Sequence, residues 1–465
     1  LYGHDARLKY WSVGLRHFTT DAVAYYSLIG IMANPKKIGS KMQLTFLGAT
    51  GTVTGSKYLF EYRNKKILID CGLFQGFKEL RLRNWEKLPV DPSAIDAVIL
   101  THAHIDHSGY IPLLIKNGFK GSIYCSEATY DLCKILLPDS GYLHEEDARR
   151  ANRYGYTRHS PALALYTRDD AIRALDQFKV VGFGHAHYID DDLHFTLSRS
   201  GHILGSSFIS LKAGSKTICF SGDLGRPDDP IMKSPAILQH ADYLLIESTY
   251  GNRLHGDSDP EQDIGKIIKK TAARGGSILI PTFAVGRTQS IIYFIHQLKK
   301  SGHIPDLPIY VDSPMATNAT NLMCRHHNEH SLPEKTCGEV FNIATYTRTP
   351  EDSKALNNSP MPKVIISASG MATGGRVLHH LKNLMGDPKN TILFTGFQAG
   401  GTRGERLING EKLIKIHGQM YSLRADVKSL HNISAHADYN EILGWLKNFK
   451  KPPCHTFITH CDLAA

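Results

Sequence analysis

The sequence contains no apolar run long enough to cross a membrane and no C-x-x-C pair. Its eight cysteines are scattered, and most stand among apolar neighbours, as Cys219 does in the run 217–220. This spacing argues against a disulfide framework, and it predicts that the cysteines are reduced core residues of a cytoplasmic protein without a membrane partner. With 465 residues, of which 42% are hydrophobic and 21% charged, the chain has the composition of a globular protein of two or three domain-sized units.

Negative charge is in the minority, because 54 Lys and Arg residues outnumber 44 Asp and Glu residues and leave a net charge of +10. That balance suits an anionic partner such as nucleic acid, although many basic proteins bind none. A nucleotide-binding P-loop is also missing. The Gly- and Thr-rich segment 48–56 lacks a Gly-Lys-Ser/Thr ending and precedes the strand-like run 57–61, which predicts a hairpin near the site.

Histidine, in contrast, is abundant, with 25 residues that recur inside separate motifs. The densest group is His102, His104, Asp106 and His107, directly after the apolar run 95–100. Side chains at the end of a buried strand can converge on one point, and imidazole and carboxylate groups suit Zn²⁺. The spacing predicts that the first two histidines bind one metal ion and that the Asp-His pair reaches a second. The alternative is a polar turn that is rich in histidine.

Further candidate ligands follow other apolar runs or stand in glycine-flanked turns, namely Asp70, His202, Asp223 and Glu247. Taken singly, each could be an ordinary turn residue. Taken with the central cluster, His202 and Asp223 complete a set for two metals. Asp223 suits a bridging position, because its two oxygens can each bind one ion. Asp70 suits the orientation of a metal-bound histidine.

From about residue 250, strand-like and helix-like segments alternate, which predicts a parallel α/β domain. Predicted strands are 276–281, 309–314, 363–370 and 390–396, and predicted helices are 260–274 and 286–300. Glycine-rich strand ends carry Arg287, Ser369 and Arg376. Backbone amides and arginine side chains there could hold phosphate oxygens, or the loops could be simple tight turns.

The order of these motifs resembles a known family. Asp70, the cluster at 102–107, His202 and Asp223 resemble the metallo-β-lactamase fold, and Glu247, the segment 434–438 and His460 resemble three further motifs of its β-CASP branch of RNA-processing nucleases. The resemblance extends from about Met42 to the end of the chain and is closest to compact bacterial members. It implies an α/β fold: a metallo-β-lactamase αββα sandwich with an inserted parallel α/β β-CASP domain.

The implied domain boundaries are 42–249 for the first part of the metallo-β-lactamase domain, 250–426 for the β-CASP domain and 427–465 for the return to the first domain. Residues 1–41 are expected to be an extension outside these domains. Family members usually continue beyond the last histidine, so the end after His460 is expected to be truncated.

The resemblance also implies a site with two zinc ions that activate a hydroxide for attack on a phosphodiester of single-stranded RNA. His102, His104 and His202 would bind one ion, Asp106, His107 and His460 the other, and Asp223 would bridge them. Asp106 would also orient the nucleophile, and His436 would donate a proton to the leaving oxygen with help from Glu247. The residues expected to hold phosphates are Ser434, Arg287, Ser369 and Arg376.

Two other functions remain open at this point. A thioester or lactone hydrolase of the glyoxalase II type shares the Thr-His-x-His-x-Asp-His motif, but it lacks the α/β insertion and the counterpart of His436. A non-catalytic scaffold of an RNA-processing complex would typically lack several metal ligands, whereas every ligand position is filled here. The resemblance also allows a homodimer.

Overall fold

The computed structural model describes residues 25–26, 42–155, 157, 159–256, 258–396 and 398–462. The predicted extension 1–41 therefore lies outside the described residues, apart from a two-residue strand. Among the helices that the structure describes, none combines the length and the apolar character needed to cross a bilayer.

The strands of this described part are, in chain order, β1 Tyr25–Tyr26, β2 Met42–Phe46, β3 Tyr58–Tyr62, β4 Lys65–Ile69, β5 Ala97–Ile99, β6 Ser122–Cys125, β7 Phe178–Val180, β8 His187–Asp190, β9 Leu193–Arg199, β10 Ser207–Ala213, β11 Lys216–Phe220, β12 Tyr243–Glu247, β13 Ile278–Pro281, β14 Ile309–Val311, β15 Ala344–Tyr346, β16 Val364–Ser367, β17 Thr391–Phe394, β18 Leu413–Ile416, β19 Gln419–Ser422, β20 Asp426–Ser429 and β21 His455–Thr459.

The α-helices are α1 Lys78–Leu82, α2 Ile105–Ser108, α3 Ile111–Lys116, α4 Glu127–Tyr154, α5 Arg168–Ala174, α6 Pro260–Ala273, α7 Arg287–Lys300, α8 Pro314–Arg325, α9 Glu334–Phe341, α10 Pro350–Asn358, α11 Val377–Leu384, α12 Arg403–Ile408 and α13 Tyr439–Leu446.

Two sheets form a sandwich. One has the order β1-β2-β3-β4-β5-β6-β7 and the other β21-β12-β11-β10-β9-β8. Their facing sides share one apolar core, in which Phe60 and Ile99 of the first sheet join Phe195 and Ile209 of the second. Helices α2 to α5 cover the outer face of the first sheet, and α13 covers the second, where Trp445 packs on Phe208. This is the predicted αββα sandwich, which buries both faces of each sheet.

The inserted domain is a separate sheet, β15-β14-β16-β13-β17-β20, in which every neighbouring pair is parallel. Helices cover both of its faces, with α6 to α9 on one side and α10 to α12 on the other. The predicted parallel α/β insertion is therefore confirmed. Its last strand, β20, runs across the predicted boundary at residue 426. The chain then returns to the sandwich, where β21 pairs in parallel with β12.

Two local predictions need correction. Residues 126 to about 173 have a helical pattern in the sequence, which predicts helix across this segment, but α4 ends at Tyr154, where Gly155 takes a left-handed φ of 61°, and α5 begins at Arg168. The expectation that the cysteines are reduced core residues holds for Cys71, Cys125, Cys133 and Cys219 but is wrong for others. Cys324 and Cys337 form a disulfide, because α8 and α9 pack side by side, and Cys454 is exposed.

Candidate metal centre

The candidate site lies where parallel strands of both sheets end. In the first sheet β4 and β5 run in parallel, and in the second β11, β12 and β21 do. Asp70, Asp223 and His460 follow the ends of β4, β11 and β21, Glu247 is the last residue of β12, and residues 102–107 follow β5. Because the carboxyl ends of parallel strands share an edge, side chains that are distant in sequence meet there.

The first group of candidate ligands combines three histidines and one carboxylate. His104 Nδ1 lies 3.2 Å from His102 Nε2 and 3.2 Å from His202 Nε2. Asp223 Oδ2 lies 3.4 Å from each of the same two Nε2 atoms. The four atoms thus surround one point, so a single metal ion could contact all of them.

The second group is Asp106, His107 and His460. His460 Nε2 lies 3.3 Å from His107 Nε2 and 3.4 Å from Asp106 Oδ2. Asp223 faces this group with its other oxygen, because its Oδ1 lies 3.2 Å from His107 Nε2. Asp223 therefore stands between the two groups, one oxygen toward each.

These separations fit a metal. Ligands placed about 2.0–2.2 Å from a tetrahedral zinc ion are about 3.3–3.6 Å apart, which is close to the distances within both groups. Asp223 Oδ1 is buried and accepts no hydrogen bond within the described structure, so a cation would satisfy it. Burial lowers the pKa of His102, His202 and His104, the last to about 3. These imidazoles are therefore neutral, the form that binds metals.

Asp70 contacts two residues of the central cluster. Its carboxylate accepts hydrogen bonds from the Thr101 amide at 2.7 Å and the Thr101 hydroxyl at 2.8 Å. It also lies 2.8 Å from His107 Nδ1. Burial lowers the pKa of His107, but the Asp223 and Asp70 carboxylates raise it well above its usual value. A metal ion would displace the Nε2 proton, and Asp70 would then keep the proton on Nδ1.

The backbone around the cluster is equally constrained. Gly72 has no room for a side chain, because a Cβ there would lie 1.6 Å from the carbonyl oxygen of Asp106. The predicted hairpin between β2 and β3 is confirmed, and Ser56 at its end donates its amide to the same carbonyl at 2.8 Å. The segment 48–56 therefore supports the cluster from outside.

His436 and Glu247 form a pair beside the metal ligands. His436 Nδ1 lies 3.1 Å from Glu247 Oε1, and its side chain keeps 19% of its surface exposed, whereas that of Glu247 is fully buried. Burial lowers the pKa of His436, but the Glu247 and Asp223 carboxylates raise it more strongly, to about 9. The imidazole is therefore protonated at neutral pH, and its Nε2 is not engaged by Glu247.

Two threonines complete this arrangement. The Thr249 hydroxyl donates to Glu247 Oε2 at 2.5 Å and lies 2.9 Å from His460 Nδ1. Thr101 links Asp70 to His102, with its hydroxyl 3.0 Å from His102 Nδ1. Sequence reasoning missed both residues, although each stands within two positions of a predicted ligand or of Glu247, which is the one signal that could have indicated them.

His255 was also missed. Its Nε2 lies 2.9 Å from the carbonyl oxygen of His436 and its Nδ1 lies 3.3 Å from that of His431, while its amide donates to Asp438 at 2.9 Å. Burial lowers the pKa of His255, so its neutral ring has a single N–H, and the shorter distance favours donation from Nε2 to the His436 carbonyl. Ring and amide together hold residues 436–438 of this loop. Nothing in its local sequence distinguishes it from a polar loop residue.

Two of the residues predicted to hold phosphates already have partners within the protein. Arg376 donates to Asp312 Oδ1 at 2.6 Å and to the Arg348 carbonyl at 2.9 Å. Arg287 is buried and donates to the Thr395 carbonyl. Both guanidinium groups are thus engaged inside the inserted domain, and we do not propose them as phosphate ligands.

The two serines predicted to hold phosphates make different contacts from the arginines. Ser434 is buried, and its hydroxyl accepts the amide of His436 at 3.2 Å. Ser369 is half-buried and shares a hydrogen bond of 3.0 Å with the Thr373 hydroxyl. A phosphate contact by either serine stays a prediction.

Family models match three successive segments of the chain: Metallo-beta-lactamase superfamily at 50–252, Beta-Casp domain at 288–407, and Zn-dependent metallo-hydrolase RNA specificity domain at 420–465. A protein of Thermus thermophilus named as a ribonuclease is 35% identical, with 87% of this chain and 91% of that protein aligned. An RNase J-like protein of Methanocaldococcus jannaschii is 32% identical, with 88% and 90% aligned.

A transcription termination factor of Methanosarcina mazei is 31% identical, with 90% of this chain but only 67% of that longer protein aligned. Among solved structures, a protein of unknown function from Enterococcus faecalis has the same fold, with a TM-score of 0.51, 14% identity, and coverage of 91% of this chain and 95% of that one. As the order of its motifs predicted, the chain belongs to the β-CASP branch of the metallo-β-lactamase superfamily, a family of metal-dependent hydrolases that includes RNA-processing nucleases.

Proposed function

We propose that the protein is a zinc-dependent ribonuclease that hydrolyses phosphodiester bonds of single-stranded RNA. One observation carries the proposal: Asp223 belongs to the first ligand group, lies 3.2 Å from His107 of the second, and both groups lie next to the His436–Glu247 pair. The groups would hold one zinc ion each, the first through His102, His104 and His202 and the second through Asp106, His107 and His460. Bound zinc would supply an acidified water and positive charge beside a reacting phosphate.

Asp106 is suited to orient the attacking water. It reaches the second group from the start of α2, and the imidazoles of His460 and His107 overcome the effect of burial and lower its pKa. The carboxylate is therefore ionised at neutral pH and would accept a hydrogen bond from a water at this position.

His436 is suited to donate a proton to the leaving oxygen. Glu247 engages Nδ1 at 3.1 Å and favours the imidazolium, so the Nε2 proton is available to the substrate side of the pocket. Glu247 is fixed by the amide of Leu224 at 2.7 Å and by Thr249. A general acid whose partner is buried and fixed is held in one orientation throughout the reaction.

RNA is favoured as the substrate by two features. The net charge of +10 attracts a polyanion, and binding through phosphates is largely independent of base sequence. Relatives that align over about nine-tenths of their length include proteins named as a ribonuclease and as an RNase J-like protein. A thioester hydrolase of the glyoxalase II type requires neither the inserted sheet nor His436.

We expect the metal-loaded protein to cleave a 5′-labelled single-stranded RNA, to lose this activity with a chelator, and to regain it when zinc is restored. A thioester substrate and a fully paired RNA duplex serve as controls, and neither should be cleaved at a comparable rate. Cleavage that persists after the protein has been shown to be metal-free would contradict the proposal. So would efficient thioester hydrolysis without RNA cleavage. The homodimer and the cytoplasmic location stay predictions.

A further inference from the structure

One aromatic side chain of the inserted domain faces the metal centre without being buried. Phe283 lies in the loop 282–286 between β13 and α7, and 38% of its surface is exposed. Its neighbours Thr282, Ala284 and Val285 are 1%, 7% and 6% exposed. The neighbouring residues are therefore buried, whereas Phe283 is accessible to solvent.

The ring is directed at the candidate ligands. Its centroid lies 6.5 Å from that of His104, with 50° between the ring planes. The same loop packs on the sandwich, because a Cβ on Gly286 would lie 3.1 Å from Ile203, which directly follows His202. Phe283 thus stands at the junction of the two domains, beside the point where the reacting phosphate would be held.

The backbone fixes the position of the ring. The carbonyl oxygen of Phe283 accepts the Thr288 amide at 3.2 Å and the Thr288 hydroxyl at 2.8 Å, and that hydroxyl also lies 2.8 Å from the Thr282 hydroxyl. On the other side, a Cβ on Gly370 would lie 3.0 Å from the Phe283 amide nitrogen and 3.1 Å from the ring. An aromatic ring on a fixed backbone, with Gly370 packed against it, loses little conformational freedom when a ligand packs on it.

We propose that Phe283 is a stacking platform for the base of a nucleotide adjacent to the scissile phosphate; the inference rests on the ribonuclease function proposed above. An exposed aromatic ring beside a polar metal centre interacts only weakly with water, whereas contact with a nucleobase gives it a favourable stacking free energy. Base–aromatic stacking is tolerant of sequence, because every base has a π-face. The platform would position the nucleotide without selecting its identity.

The test combines a protein variant with a substrate variant. A single abasic ribonucleotide is moved one position at a time past a mapped cleavage site in a short RNA. For wild-type protein, kcat/KM should fall about tenfold when the abasic ribonucleotide occupies one position next to the cleaved bond. A tenfold loss lies in the lower part of the usual range for one stacked base. Phe283→Ala should lose about tenfold on the intact RNA and nothing further on the abasic RNA, because the same contact cannot be removed twice.

Two further variants separate stacking from packing. Phe283→Leu keeps an apolar side chain against Gly370 but has no ring face, so it should behave like the alanine variant. Phe283→Trp keeps an aromatic ring, so its kcat/KM should still fall about tenfold on the abasic RNA. Tyr188, a 66% exposed aromatic on the edge strand β8, provides the matched control, and Tyr188→Ala should behave as wild type. Zinc content and melting temperature are measured for each variant.

An unchanged abasic penalty in Phe283→Ala or Phe283→Leu would overturn the inference, as would wild-type protein that is insensitive to abasic sites on both sides of the cleaved bond. Failure of wild-type, zinc-loaded protein to cleave the intact RNA is a different result. It would overturn the proposed function itself, and the stacking role with it.

Discussion

His104→Ala is expected to lose zinc and RNA cleavage together. The ring of His104 contributes the nitrogen that faces both His102 and His202 at 3.2 Å, so alanine leaves the first group without its central ligand. The loss of metal affinity should exceed the roughly 10–100-fold that follows removal of a partner which only orients a ligand. Metal analysis of the dialysed protein and initial rates on a labelled RNA measure the two effects.

Asp70→Asn should lower zinc affinity less than His104→Ala does, because Asp70 contacts His107 and Thr101 without facing the metal positions itself. Its effect on zinc affinity should fall within the roughly 10–100-fold range. His240→Ala removes an exposed histidine on the surface and should change neither zinc content nor rate. Full activity of His104→Ala at low zinc would show that the first group is not a metal site.

His436→Ala is expected to keep its zinc and its RNA affinity but to cleave RNA roughly 10²–10⁴-fold more slowly, the usual contribution of a positioned general acid. The physical reason is that His436 carries the proton at neutral pH and lies beside the ligand groups, with its Nδ1 3.9 Å from Asp223 Oδ2. Single-turnover rates, zinc content and RNA binding separate these quantities.

A substrate with a better leaving group distinguishes proton transfer from structural support. An activated phosphodiester needs no proton on its leaving oxygen, so His436→Ala should recover much of its loss on that substrate. His255→Ala, which removes the contact to the His436 carbonyl but not the imidazole, should show a smaller loss of the same kind. An equal loss of His436→Ala on both substrates, or a loss of zinc, would mean that His436 supports the structure or binds metal.

Much of the fold could be predicted because its signals are local. Apolar runs that end in Asp70, Asp223 or Glu247 are short buried strands, and parallel pairing places their ends at one edge. The cluster at 102–107 carries four candidate ligands within six positions, so its grouping needed no tertiary information. The alternation of strands and helices after residue 250 likewise indicated the inserted parallel sheet.

The remaining features depend on contacts between distant residues. The sequence indicated Arg376 as a phosphate ligand. In the structure its guanidinium donates to Asp312, which directly follows β14 and lies 64 positions earlier in the chain. The disulfide between Cys324 and Cys337 required the packing of α8 on α9, which their spacing does not specify. The role of His255 depends on a loop more than 170 residues later. No pattern in a single sequence encodes these partners.

The most direct test of the account is a crystal structure of the zinc-loaded protein with anomalous data collected on both sides of the zinc absorption edge. We predict two zinc peaks about 3.5–4 Å apart, the usual separation in two-metal hydrolytic sites. One should lie among His102, His104 and His202, the other among Asp106, His107 and His460, and Asp223 should lie within ligand distance of both. A single peak, or zinc bound elsewhere while these seven side chains keep their present separations, would contradict the two-metal assignment.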